Sequence, residues 1–163
     1  MPRLTEPFGF EEVANLIINE LRKSEKLSYV ADDSIVLTNA NNKDVIPEFK
    51  NCLIRVAAPD SGFLQKTPRI GAYYRNTYIV AIDMWVKSSS VLADRLLSGE
   101  ITSQKGIYEL FQDVSDILEH NTFDNQLDSY PGSSIMSPVP LASDNTLIEG
   151  IGFLWFGNQD NLK

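Results

Sequence analysis

Thr77–Lys87, TYIVAIDMWVK, is the stretch on which the fold turns. Side chains alternate across an extended strand, so residues two apart share a face. Tyr78, Val80, Ile82, Met84 and Val86 make one unbroken apolar face; Ile79, Ala81, Asp83, Trp85 and Lys87 make a mixed one. Such a strand buries one face fully and the other partly, as at the centre of an antiparallel sheet that helices cover on one side.

Two neighbours follow the same period. Asn51–Ala58, NCLIRVAA, puts Cys52, Ile54 and Val56 on one face and Leu53, Arg55 and Ala57 on the other, before Pro59-Asp60-Ser61-Gly62 stops it. Thr146–Gly157, TLIEGIGFLWFG, sets Leu147, Glu149, Ile151, Phe153 and Trp155 against Ile148, Gly150, Gly152, Leu154 and Phe156. The two glycines bare one face, where a bulge or another backbone can approach. Shorter strands are predicted at Lys26–Ala31 and Ser34–Leu37, joined by Asp32-Asp33.

The cover for this sheet changes period. Phe10–Ser24 carries Phe10, Val13, Ile17 and Leu21 at helical spacing, widened by Ala14 and Leu16, with acids in the first turn and bases in the last. Ile107–Glu119 repeats Ile107, Leu110, Phe111, Val114, Ile117 and Leu118, and a capping residue is expected at Thr102 or Ser103. Ser88–Gly99 reads as a short capped helix. Between these elements the composition predicts long loops at about 59–76 and 121–145, and a frayed polar tail at Asn158–Lys163. The expected fold is a single α+β domain over 1–163. It has a mostly antiparallel twisted sheet, two main amphipathic helices packed on one face and two long loop insertions.

Charge bounds the partners. Fourteen basic against 22 acidic residues give a net −8 and a pI near 4.6. A phosphate-gripping surface needs the opposite sign, so tight non-specific binding of nucleic acid is not expected. An acidic protein can still stand beside DNA where DNA must slide past without sticking. No apolar run is long enough to span a bilayer, and MPRLTEPFGFEE lacks the apolar core of a signal peptide, so a soluble intracellular product without membrane contact is expected.

Few residues invite catalysis. His120 is the single histidine and stands at the end of the second main helix, where a cation suits the dipole. Cys52, the single cysteine, reads as a small hydrophobe within its strand. Zinc needs more ligands than these two supply. Thr38–Asp44, TNANNKD, lacks the glycine and glutamate of a calcium loop, and Gly150-Ile151-Gly152 lacks the setting of a dinucleotide loop. No cofactor and no enzyme activity are expected. Asp83 is the carboxylate to watch, and an ion pair with Lys87 or a cross-strand base is its simplest role. The basic and aromatic stretch Gly62–Asn76, with Lys66, Arg69, Tyr73, Tyr74 and Arg75, reads as a solvated loop or a contact for an acidic partner.

The element order is an amphipathic helix, short strands, NCLIRVAA, TYIVAIDMWVK, the KGIYELFQDVSDILE helix and TLIEGIGFLWFG. From about Phe10 to Gly157 this resembles the tail terminator (tail completion) proteins of long-tailed bacteriophages, which are small α+β proteins of similar length. The resemblance implies a structural virion protein made in the host cytoplasm. It would form a hexameric ring capping the tail tube, stop tube polymerisation and meet a head-side connector or stopper, with DNA passing through unbound. Under it, Lys66, Arg69 and Arg75 would face a neighbour's acids, Tyr73 or Trp155 would anchor a contact, and Asp83 and Trp85 would lie on the side of subunit contact or the channel. A different neck, head-completion or tube-like component, or a small carboxylate-site enzyme, are the other readings.

Overall fold

The structure is a computed structural model that describes residues 7–38, 46–59, 62–69, 71, 73–88, 106–130, 139–143 and 146–162. The expected α+β single-domain class is what it shows. Two helices, α1 (Phe10–Lys23) and α2 (Ile107–Leu118), lie on one face of a sheet built from β1 (Ile35–Thr38), β2 (Cys52–Ala57), β3 (Leu64–Pro68), β4 (Tyr73–Ser88), β5 (Asp128–Tyr130), β6 (Val139–Ser143) and β7 (Thr146–Leu162). The main order is β1-β2-β4-β7-β5, with β3 also on β4 and β6 also on β7. β1 runs parallel to β2; the other pairs are antiparallel.

The opening stretch is the spine. β4 pairs with β7 over sixteen consecutive rungs, from Tyr73↔Leu162 to Ser88↔Leu147. At about 3.4 Å per residue this ribbon is roughly 50 Å long. Its register sets Val80, Ile82 and Met84 beside Trp155, Phe153 and Ile151, and β2 adds Val56 and Ile54 on the same face. Those side chains are buried with Val13, Ala14, Ile17, Ile18 and Leu21 of α1 and Ile107, Leu110, Val114 and Leu118 of α2. Each full burial contributes about 1.5–3 kcal/mol. Phe111 meets Phe153 edge-on at 5.5 Å, and Phe123 meets Trp155 edge-on at 5.7 Å.

Several expectations are corrected. Lys26–Ala31 is not a strand: Glu25–Leu27 and Asp32–Ser34 are single 3-10 turns, tied to α2 by Lys26–Asp116 (3.2 Å) and Tyr29–Asp113 (2.7 Å). Much of the expected loop at 59–76 is strand. From Ala57↔Ala81 to Leu64↔Tyr78 one chain advances seven residues (57 to 64) while β4 advances three (81 to 78). β2 and β3 are thus one strand, along a single edge of β4, interrupted by a loop. Gly62, at φ +97°, closes that loop with a bond from its N–H to the Pro59 carbonyl. The expected excursion at 121–145 contains β5 and β6, and the tail expected to fray continues β7 to Leu162. The short helix at Ser88–Gly99 and the cap at Thr102 or Ser103 fall outside the described residues, apart from Ser88, which ends β4.

Beyond α2 the chain makes a left-handed turn without glycine. Phe123, Asp124 and Asn125 have φ of 47°, 57° and 64°. Left-handed helical backbone costs an L-residue roughly 1–2 kcal/mol, so neighbours must hold it there. Asn121 does so, accepting the Phe123 N–H (2.8 Å) and donating to Glu20 (3.1 Å) and the Ile117 carbonyl (3.2 Å). Ser129 Oγ lies 2.8 Å from the Leu118 carbonyl and 2.6 Å from that of Asn121. Asp124→Gly should relieve this strain and, after the entropy glycine adds to the unfolded chain, stabilise by about 0.5 kcal/mol and raise Tm by about 1–2 °C. A fall in Tm on thermal unfolding would show that the turn is not left-handed.

Candidate functional site

The middle of the sheet face away from the helices holds a charged cluster. Arg55 and Asp83 stand directly opposite on β2 and β4. Arg55 Nε donates to both Asp83 oxygens (3.2 and 3.0 Å), and its Nη2 donates to Oδ2. Trp85 Nε1 donates to the same Oδ2 at 3.0 Å, while the guanidinium lies 5.9 Å from the indole centroid. The ring occupies the space that a side chain at residue 150 would take: a Cβ there would come within 2.5 Å of it. The bare face expected at Gly150 is therefore filled by a cross-strand tryptophan, not by backbone.

This cluster is the cross-strand ion pair expected for Asp83, with Arg55 as the base. Lys87 instead donates to the Phe49 carbonyl at 3.3 Å and lies 5.8 Å from the Phe49 ring. Arg55 keeps only 9% of its side-chain surface exposed, against 29% for Asp83. Asp83→Ala would leave a buried guanidinium short of its acceptor and should destabilise by about 2 kcal/mol in denaturant unfolding. Asp83→Asn, which keeps an acceptor for Trp85, should lose less. Equal stability of Asp83→Ala and wild type would mean that the pair contributes nothing.

The second group of candidate residues lies toward the other end of β4. Arg75 and Asp83 are eight residues apart on one strand, about 27 Å, so the candidates form two sites. Lys66 Nζ sits 5.5 Å from the Tyr74 ring centroid on the β3–β4 hairpin. Gln65 to Pro68 is exposed, and so is Arg69 just beyond it. Tyr73 begins β4, opposite Leu162. Arg75 forms a two-pronged pair with Asp160 (2.9 and 3.1 Å), its neighbour in register. That charge is engaged within the chain. Trp155 lies inside the core with 1% exposure, so it is no surface anchor.

The Arg75 bonds hold the Asp160 carboxyl below the usual carboxylate range, against a smaller opposing effect of burial. A lowered folded pKa gives stability that is present above the unfolded value and lost as pH falls through the folded one. Asp160→Asn should therefore be less stable than wild type at neutral pH, with the gap closing below about pH 3.8. A gap that persists unchanged at pH 2 would mean that the carboxylate charge is not its source.

Other chemistry is sparse. Burial pushes the Cys52 thiol up to about 11, which suits a packing role. His120 follows α2 at φ 55° with an exposed side chain 3.6 Å from Glu119. Among the described residues, no three His, Cys, Asp or Glu side chains are grouped to hold a metal ion, and no helix is long and apolar enough to cross a membrane. Arg55 could have been suspected from its sequence, as a charge inside an apolar strand on the parity that faces Asp83. Asp160 had no such signal, because it sits in a polar stretch without periodicity. No family model matches the sequence, and no curated protein matches it.

Proposed function

We propose that this chain is a structural protein of a bacteriophage tail or neck, a tail terminator that assembles into a ring on the end of the tail tube. The observation that carries the reading is the β4–β7 ribbon, a long paired spine with helices on one face and a half-exposed mixed face on the other. It agrees with the element order on which the resemblance rests. In this reading six copies close a ring by one repeated head-to-tail contact. The ring ends tube polymerisation and offers its far side to the head-side connector or stopper. A net charge of −8 repels phosphate, which favours DNA passing without being held.

Asp83 does not favour an enzyme reading. Its carboxylate accepts hydrogen bonds from Arg55 and Trp85, which suits a structural anchor better than a proton-transfer group.

Light scattering after size-exclusion chromatography, with and without purified tail tubes, tests the proposal. Masses of several copies and sixfold annuli in negative stain are expected. A monomer at every concentration, tubes present or not, would refute it.

A further inference from the structure

The two edges of the sheet carry opposite charge at its Tyr73 end. One rung there runs Gln65–Thr77–Asn158–Asp128, across β3, β4, β7 and β5. Four strands are about 15 Å wide. Lys66 stands one residue from the β3 end of that rung, exposed on the open edge, with no ion-pair partner among the described residues. At the β5 end, Asp128 is an exposed acid on a cleft of about 200 Å³ that Asn125, Gln126, Asn158, Gln159 and the Arg75-bound Asp160 also line. The left-handed turn with its Asn121 and Ser129 bonds carries Asn125 to the rim.

The β3 edge suits a side-chain contact better than an open-ended sheet. Ile79 N–H donates to the carbonyl of Phe63 directly opposite (2.7 Å), so the backbone groups of Leu64, Lys66 and Pro68 point away from β4. Pro68 has no N–H to offer, which limits strand addition there. A lysine reaching from that edge has the complement of a cleft lined by several amide groups and two carboxylates, of which Asp160 is paired with Arg75 and Asp128 is left to receive it.

We propose that Lys66 of one copy of this chain seats in the Asn125–Asp128–Asn158 cleft of the next. The contact joins unlike edges, so it is heterologous and repeats from copy to copy. This inference rests on the ring reading above and names the contact that builds the ring.

Charge exchange tests it. Lys66→Glu and Asp128→Lys are both at exposed positions, and circular dichroism checks that each variant folds. Each alone should weaken self-association by roughly tenfold in concentration-dependent light scattering. Mixed in equal amounts, the two should reassemble. The glutamate introduced in one variant then meets the lysine introduced in the other, and the native Lys66–Asp128 contact forms at every second interface. Lys66→Gln, with no repulsive charge, should weaken association less than Lys66→Glu. If the wild-type chain forms its multimer and Lys66→Glu assembles equally well, or if mixing restores nothing, this contact is wrong while the ring reading stands. If the wild-type chain never associates, both fail.

Discussion

The register between β4 and β7 is the constraint from which the rest of the molecule follows. Sixteen rungs set which residues of the two strands stand opposite one another. A slip of one residue would turn Val80, Ile82 and Met84 away from the helices and present Asp83 and Lys87 to them. The apolar middle of the ribbon holds the register through burial under α1 and α2. The polar end holds it through matched pairs, Arg75 with Asp160 and Thr77 with Asn158, each directly opposite. Tyr78 adds a bond from its hydroxyl to Gln159. One register thus satisfies two unlike kinds of interaction.

The outer face shows how a charge is accommodated in a sheet. Arg55 gains a carboxylate on the neighbouring strand, and that carboxylate gains a second donor from Trp85. The indole can lie across β7 because position 150 has no side chain. On the inner face Trp155 lies over Gly157, two residues along its own strand, and the ring covers the space a Cβ there would need. Both tryptophans of the chain therefore lie over a glycine of β7.

Both main helices, the two central strands and the class of the fold were legible in the sequence, because burial on one face leaves a period that composition cannot hide. The same rule explains what was missed. Asn158 to Asp160 and Tyr74 to Asn76 have no apolar alternation; Asp160 meets Arg75 and Asn158 meets Thr77 across the strands, a relation that one segment alone cannot display. Lys26–Ala31 carries Leu27 and Val30 into the core, but as two points on tight turns. In the charged cluster, parity placed Asp83 and Trp85 on the outer face, and Arg55 stood in plain view without its partner. Trp155 is no surface anchor, and its parity, shared with Ile151 and Phe153, already pointed inward.

The ribbon also says when this protein can fold. Its nearest rung joins residues 59 apart (88 to 147) and its farthest joins residues 89 apart (73 to 162). No part of the spine forms from local chain. The entropy of closing those loops must be met before any rung rewards it, which places the fold among the slower topologies for its size. During synthesis β4 leaves the ribosome long before β7 exists, with its apolar face awaiting both a helix and a strand. Such a chain is exposed to aggregation until its last described strand arrives. The core therefore cannot be completed until β7 has been made.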